Sequence, residues 1–175
     1  MKNNNRYELN HSKFLSDEEQ DALLRVLDIN ERDGLFIMLA LKTGARMSEL
    51  LALTPADISE TSKTVFIIGL KGSNDREMPI EGSILKALVE RARGVSPNGR
   101  VFPFCRQRVF QIWTMYRPNP EKGFHSLRHT FAVNLYKRFK DIILVKTALG
   151  HRSLKNTMIY ADFVYQTESL RKIAE

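Results

Sequence analysis

The chain of 175 residues carries a formal net charge of +7, and 43% of its residues are hydrophobic. These values fit one domain with a packed core and exclude a chain that is disordered throughout. The single cysteine, Cys105, excludes an internal disulfide, and no apolar run approaches the ~20 residues that a membrane span needs.

The first part of the chain predicts two helices and the start of a third. Ser16 stands three residues before a glutamate, which is the spacing of a capping box, and leucines follow at helical intervals. A second, strongly apolar helix is predicted over residues 31–43, with Gly44 placed to end it. Arg46 therefore begins a short helix just after a turn, where outward-pointing N–H groups favour a phosphate.

Two strands joined by a turn are predicted in the middle of the chain. Residues 64–68 and 76–80 have the composition of strands, and the residues between them favour a turn. Pro79 lacks an N–H, which confines the second strand to a sheet edge or a strand end. Lys71 lies in the connection and would project from a mobile hairpin.

The rest of the chain predicts mainly helices. They are expected over residues 84–93, 107–116, 126–139, 142–149, 153–160 and 168–172. The resulting fold class is mainly α with a small antiparallel β-sheet (α+β). The positive net charge favours a polyanionic partner, although an ordinary basic protein would have the same composition.

Five short motifs place two arginines, a lysine, two histidines and a tyrosine in order along the chain. They are Gly44-Ala45-Arg46-Met47-Ser48-Glu49-Leu50, Leu70-Lys71-Gly72, His125-Ser126-Leu127-Arg128, Leu149-Gly150-His151 and Tyr160. A guanidinium can hold two phosphate oxygens, Lys and His can transfer protons, and Tyr can form a covalent intermediate. Together these residue types suit attack on a phosphodiester, and no metal is needed where cations already surround the phosphate.

The order and spacing of these motifs resemble the tyrosine recombinase family, also called the phage integrase family. The resemblance covers nearly the whole chain after Ser16. It implies the catalytic-domain fold of that family and a site-specific recombinase that cleaves and rejoins double-stranded DNA. The implied intermediate is a 3′-phosphotyrosyl ester, formed without metal, cofactor or ATP, in integration, excision or inversion of DNA.

The resemblance also implies a role for each motif residue. The expected catalytic residues are Arg46, Lys71, His125, Arg128, His151 and Tyr160, with Glu49 in support of the first arginine. Tyr160 would be the nucleophile, and the two arginines would hold the non-bridging phosphate oxygens. Lys71 would protonate the leaving 5′-oxygen, His125 would assist proton transfer at the tyrosine, and His151 would bind phosphate.

The expected organisation is a linker or N-terminal arm over residues 1–15 and the catalytic domain over residues 16–175. Most family members carry an N-terminal domain that clamps the other face of the DNA, and none fits before Ser16. An excised domain is therefore favoured over a complete short recombinase. The resemblance further implies a tetramer on DNA, a monomer alone and accessory DNA-bending proteins. Without a long apolar run or an apolar signal-peptide core near the N-terminus, no membrane partner is expected, and the expected location is cytoplasmic, at the bacterial nucleoid or in the host cell cytoplasm.

Several of the candidate residues also have a structural interpretation. Arg46 could simply pair with Glu49, one helical turn further on. His125 and His129 have the i, i+4 spacing of a zinc pair, but an intervening arginine disfavours a dication. His129 is otherwise interpreted as a residue that packs against the neighbouring helix.

The remaining alternatives concern the other candidates and the function as a whole. His151 could cap a helix end, Lys71 could be an ordinary solvated lysine, and Tyr165 competes with Tyr160 for the role of nucleophile. A non-catalytic DNA-binding regulator with the same fold and a type IB topoisomerase-like enzyme are the alternative functions.

Overall fold

The computed structural model describes the backbone of residues 8–173 and the side chains of residues 8–166. The α-helices in that range are α1 (Asp17–Val26), α2 (Arg32–Thr43), α3 (Met47–Leu50), α4 (Gly82–Ala92), α5 (Arg106–Tyr116), α6 (Ser126–Phe139), α7 (Ile142–Leu149) and α8 (Lys155–Ile173). The strands β1 (Ile58–Ser59), β2 (Thr64–Ile67) and β3 (Arg76–Pro79) form an antiparallel sheet in that order. The predicted fold class, mainly α with a small antiparallel sheet, is confirmed.

The helix boundaries predicted from local chemistry near the N-terminus are confirmed. The Ser16 hydroxyl accepts from Glu19 N, and the Glu19 carboxylate accepts from Ser16 N, which is a complete capping box at the start of α1. Helix α2 ends at Gly44, whose φ of 60° lies in the left-handed region. Arg46 is the residue immediately before α3, as predicted.

The sheet is small and ends at β3. Pro79 pairs with Thr64 at one end of β3, and β3 pairs with β2 alone among the described strands, so the predicted edge position is confirmed. Strand β1 has only two residues, which is too short for a recognisable alternation, and the sequence did not predict it.

The C-terminal helices differ from the prediction in one respect. Helices α6 and α7 have the predicted bounds, but α8 is a single helix. The prediction of two helices over residues 153–160 and 168–172 is therefore wrong. No Gly or Pro occurs between residues 155 and 173, so nothing in that segment interrupts the backbone hydrogen bonds.

Two hydrophobic clusters form the core, and α6 connects them. The larger cluster surrounds α2, which is buried over most of its length, while the smaller one packs α6, α7 and α8 together. Phe131 and Leu135 of α6 pack against both. No helix in the described range is long and apolar enough to cross a membrane.

Part of the segment interpreted as an arm packs against the domain. Leu9 and Phe14 are buried in the smaller cluster, and Leu15 N donates to Thr130 Oγ1 at 2.8 Å. Residues 1–7 lie outside the described range. The boundary between residues 15 and 16 stays a prediction.

Candidate active site

Five of the six expected catalytic residues line one cavity of about 510 Å³. They are Arg46, His125, Arg128, His151 and Tyr160, and His129 lines it with them. The start of α3, the start of α6, the turn after α7 and the second turn of α8 supply these side chains. Motifs that are up to 114 positions apart in the chain thus meet at one site, since Arg46 and Tyr160 both contribute.

Arg128 is held by the ends of two helices. Its Nη1 donates to Gly44 O at 2.6 Å, and its Nη2 donates to Leu149 O at 2.9 Å. These carbonyls lie at the C-terminal ends of α2 and α7, where the helix dipole places partial negative charge. Burial and the nearby charge of Arg46 lower the Arg128 pKa to about 10, which still leaves a cation at neutral pH.

Arg46 pairs with Glu49 and also faces the cavity, so its structural and functional interpretations are compatible. Its Nη1 donates to Glu49 Oε1 at 3.1 Å and to Ser73 Oγ at 2.6 Å. The second carboxylate oxygen of Glu49 accepts from Arg46 N at 2.9 Å. The buried Glu49 therefore fixes both the main chain and the side chain of Arg46.

Arg76 is a member of this network that sequence reasoning placed only in a strand. Its Nη2 donates to Glu49 Oε2 at 2.8 Å, and its side chain is buried. Its Nε and Nη1 have no hydrogen-bond partner among the described residues. Burial alone would raise the Glu49 pKa, but hydrogen bonds from Arg76 and from Arg46 N outweigh it, and the Glu49 pKa lies below its ordinary value.

The cavity histidines are neutral at physiological pH. Burial lowers the pKa of His151 to about 4, and the charges of Arg128 and Arg46 act in the same direction. His125 keeps an exposed edge, yet desolvation by surrounding protein atoms and the same two arginines lower its pKa to about 4. Burial and the neighbouring His125 lower the His129 pKa to about 3. These imidazoles can accept or donate hydrogen bonds, but they add no positive charge.

Tyr160 and His129 are in direct contact. Tyr160 is 2% exposed, and its hydroxyl lies 3.0 Å from His129 Nδ1. The rings of His129 and His125 stack edge to face at 4.7 Å. Sequence reasoning missed this role of His129 because the contact joins α6 to α8 across 31 residues. Tyr165, the competing tyrosine, is 63% exposed and is not a cavity residue.

Lys71 stands apart from the other candidates. It is exposed in the connection between β2 and β3, has a φ of 54°, and does not line the cavity. The same connection nevertheless docks beside the site, because Asn74 N and Ser73 Oγ both donate to Gly150 O, at 2.8 and 3.0 Å. The hairpin is thus anchored to the turn before His151, with Lys71 outside the cavity.

The described residues contain no cluster of three or more His, Cys, Asp or Glu side chains suited to a metal ion. Among the described residues, no third His, Cys, Asp or Glu side chain is placed to bind a metal ion together with His125 and His129. His129 Nδ1 is already occupied by the tyrosine hydroxyl. The positive groups of the cavity are the guanidiniums of Arg46 and Arg128 together with the ammonium of Lys155 at its rim.

Comparison with known proteins gives a family match over most of the chain. The model of the phage integrase family matches residues 13–167. Tyrosine recombinase XerH of Campylobacter jejuni is 32% identical over 171 residues, which cover 86% of this chain and 48% of XerH. Tyrosine recombinase XerA of Pyrococcus horikoshii is 30% identical over 176 residues, which cover 93% of this chain and 60% of XerA. The chain thus spans about half to three fifths of these relatives.

Solved structures share the fold. XerH bound to its difH substrate in a pre-cleavage complex superposes with a TM-score of 0.67 at 28% identity, over 88% of this chain and 51% of XerH. The catalytic domain of bacteriophage HP1 integrase superposes with a TM-score of 0.65, also at 28% identity. That match covers 91% of this chain and 93% of the phage domain, so the two are similar in extent.

Proposed function

The chain belongs to the phage integrase family, and we propose that it is the catalytic domain of a site-specific DNA recombinase that uses a tyrosine nucleophile. The observation that carries this proposal is the convergence of Tyr160, Arg46 and Arg128 on one cavity. The relatives named tyrosine recombinases and the XerH complex with its difH substrate support the same activity.

In the proposed reaction, the Tyr160 oxygen attacks a DNA phosphorus in line with the bond to the 5′-oxygen. The new bond is a 3′-phosphotyrosyl ester, and the 5′-oxygen leaves and takes up a proton. Arg46 and Arg128 hold the non-bridging oxygens, where negative charge increases in the transition state. Attack by a second 5′-hydroxyl reverses the step, so strands can be exchanged without ATP.

The proton of Tyr160 must leave as the new bond forms. Its hydroxyl already contacts His129, whose ring packs against His125. The pKa values of His129 and His125 are lowered to about 3 and about 4, so at neutral pH each ring is a neutral imidazole with one N–H and one nitrogen lone pair. We assign the assistance at the tyrosine to His125 acting with His129.

The leaving 5′-oxygen requires a proton donor, and we assign this role to Lys71. Because its side chain lies outside the cavity, the hairpin tip and the bound DNA must approach one another for the transfer. The docking of Ser73 and Asn74 on Gly150 keeps the hairpin close to the site.

The biological outcome, which is integration, excision or inversion, stays a prediction. The tetramer on DNA and the accessory DNA-bending proteins also stay predictions.

The test is the trapping of a covalent adduct on nicked suicide duplexes, with a pool of randomised sequences and the difH sequence as probes. Wild-type protein should give a covalent protein–DNA band in a denaturing gel. Tyr160→Phe should retain DNA binding and lose the band, whereas Tyr165→Phe should keep it. Chelation with EDTA should leave the band unchanged.

Two results would contradict the proposal. A band that survives in Tyr160→Phe would move the nucleophile to another residue. DNA binding by wild-type protein with no band on any probe would favour the non-catalytic DNA-binding regulator.

A further inference from the structure

The His151 ring is tied to the first turn of α8 by one hydrogen bond. His151 Nδ1 lies 2.9 Å from Thr157 Oγ1, and the contact closes the turn between α7 and α8. Thr157 is fully buried at 0% exposure, while His151 lines the cavity. A hydroxyl in this position is enclosed by protein and cannot exchange its partner for bulk water.

The direction of this hydrogen bond follows from the number of available protons. A threonine hydroxyl has one hydrogen, and a buried hydroxyl nearly always donates it. Among the described residues, His151 Nδ1 is the hydrogen-bond partner that the Thr157 side chain has. If Nδ1 carried a hydrogen and donated it, the hydroxyl hydrogen would be buried without an acceptor, which is unfavourable because its desolvation would not be compensated.

We propose that Thr157 is a positioning residue that holds His151 in the tautomer with its hydrogen on Nε2. The Thr157 hydroxyl donates to Nδ1, which must then be unprotonated. Nε2 has no partner among the described residues, so its N–H is available to a ligand in the cavity. The inference rests on the proposed function, because the ligand is an oxygen of the DNA phosphate.

The tautomer decides whether His151 attracts or repels that oxygen. With a pKa lowered to about 4 by burial and by Arg128, the ring is neutral at physiological pH. A neutral imidazole has one N–H and one lone pair. The tautomer with hydrogen on Nδ1 would turn the Nε2 lone pair towards a phosphate oxygen, which is repulsive. The buried Thr157 hydroxyl thus makes Nε2, the nitrogen available to a ligand in the cavity, the hydrogen-bond donor of the neutral ring.

The tautomer can be measured without any activity. Protein with 15N-labelled histidine rings is examined by long-range 1H–15N correlation at pH 7.5, and His151→Gln identifies the His151 signals. We expect an unprotonated, hydrogen-bonded Nδ1 and a protonated Nε2. In Thr157→Val the Nδ1 signal should lose the shift caused by an accepted hydrogen bond, and Thr157→Ser should restore it. A wild-type ring with its hydrogen on Nδ1 would overturn the proposal.

The functional consequence is tested by a double-mutant cycle on the suicide duplex. Thr157→Val should slow covalent adduct formation roughly tenfold, the value of one charge-assisted hydrogen bond, with little change in DNA affinity. Thr157→Ser should stay within about threefold of wild type, since ~0.7 kcal/mol is the most that a retained hydroxyl should lose. In a His151→Ala background, Thr157→Val should have no further effect.

The cycle separates positioning from simple stability. An equal loss in both backgrounds would show that Thr157 acts only on folding and would refute its action through His151. If wild-type protein forms no adduct, the proposed function fails, whereas the ring spectra still decide the tautomer. If Thr157→Val does not fold, Thr157→Ser and the wild-type spectrum carry the test.

Discussion

At the scale of single residues, Lys71 is the candidate whose position leaves most to test. It is exposed and outside the cavity, so its proposed contact with the leaving oxygen forms only when DNA is bound. Lys71→Ala should cut ordinary DNA poorly. A bridging 5′-phosphorothiolate, whose sulfur leaves without a proton, should restore much of the cleavage rate.

Lys63 provides a matched control for this prediction. It is also an exposed lysine in a turn of the same sheet, and its φ of 55° is close to the 54° of Lys71. Lys63→Ala should leave single-turnover cleavage of both substrates near the wild-type rate. A Lys71→Ala protein that folds but gains nothing from the phosphorothiolate would exclude general-acid catalysis by this residue.

The sequence indicated the residues that are proposed to carry chemistry more readily than it indicated all of the residues that hold them. Arg46, Arg128 and Tyr160 were recognisable because their types and order suit a phosphodiester. Glu49 was expected beside Arg46 because the two residues are one helical turn apart, and they do pair. Arg76 was not expected there, because it reaches Glu49 across 27 residues of sequence. A basic residue in a strand carries no local signal that distinguishes a buried ion pair from an ordinary exposed position.

At the scale of elements, the contact between the β2–β3 hairpin and the turn after α7 depends on Gly150. Its φ is 68°, and a Cβ there would lie 2.6 Å from Asn74 O. Gly150→Ala therefore combines a left-handed conformation, at about 1–2 kcal/mol, with an overlap that costs roughly 1–3 kcal/mol. We expect a loss of both unfolding free energy and cleavage rate, measured by urea denaturation and by single-turnover kinetics.

Gly94 separates these two costs. Its φ is 76°, but apart from its immediate chain neighbours no atom of the described residues lies within 4 Å of a Cβ built there. Gly94→Ala should lose only the conformational part, about 1–2 kcal/mol, and should cleave DNA normally. Equal effects of the two substitutions would show that the hairpin contact at Gly150 contributes little.

Most elements could be predicted because their boundaries have local chemical causes. The capping box at Ser16, the left-handed Gly44 and the proline of β3 each act within a few residues. The two differences from the prediction have other causes. Strand β1 has only two residues and depends on pairing with β2, and α8 continues as a helix through residues 161–167, where the sequence predicted none.

At the scale of the whole molecule, the net charge of +7 predicts binding to DNA that is dominated by phosphate contacts. Such contacts release counterions, so the logarithm of the affinity should fall with the logarithm of salt concentration by roughly 0.9 per neutralised phosphate. Discrimination between a cognate and a scrambled duplex should stay below the ~10³-fold that marks a specific binder. Fluorescence anisotropy at several salt concentrations measures both.

Removal of a cavity arginine should have a different effect from removal of other positive charges on the protein surface. Arg46→Ala and Arg128→Ala should reduce cleavage much more than binding, because in the proposed reaction both stabilise the transition state at one phosphate. An affinity that does not change with salt concentration would contradict a domain that recognises mainly the DNA backbone. Discrimination above ~10³-fold between cognate and scrambled duplexes would contradict it as well.

Acid should destabilise the fold from pH ~6.5 downwards, because of the cavity histidines. In the unfolded chain the histidines bind protons below pH ~6.5, whereas His151 and the buried His129 stay neutral in the folded chain down to about 4 and about 3. Stability is therefore fully present above pH ~6.5 and is lost as the pH falls towards those folded values, by up to ~1.4 kcal/mol per pH unit for the buried His129 and by less for the partly exposed His151.

Urea denaturation at pH 7.5, 6.5 and 5.5 measures this dependence. The midpoint should fall with pH, and His129→Gln, which removes one of the titrating groups, should make the fall shallower. A midpoint that is constant or rises towards pH 5.5 would show that these imidazoles are protonated in the folded protein.

The hydrogen bonds that hold Arg128 affect how many substitutions the surrounding sequence can accept during evolution. Its anchors are main-chain oxygens of Gly44 and Leu149, atoms that every amino acid possesses. Exchange of neighbouring side chains leaves these anchors in place as long as both helices end where they do. Carbonyls also carry no full charge, so they orient the guanidinium without neutralising it. The surrounding sequence is thus free to drift while the cation remains aimed and available.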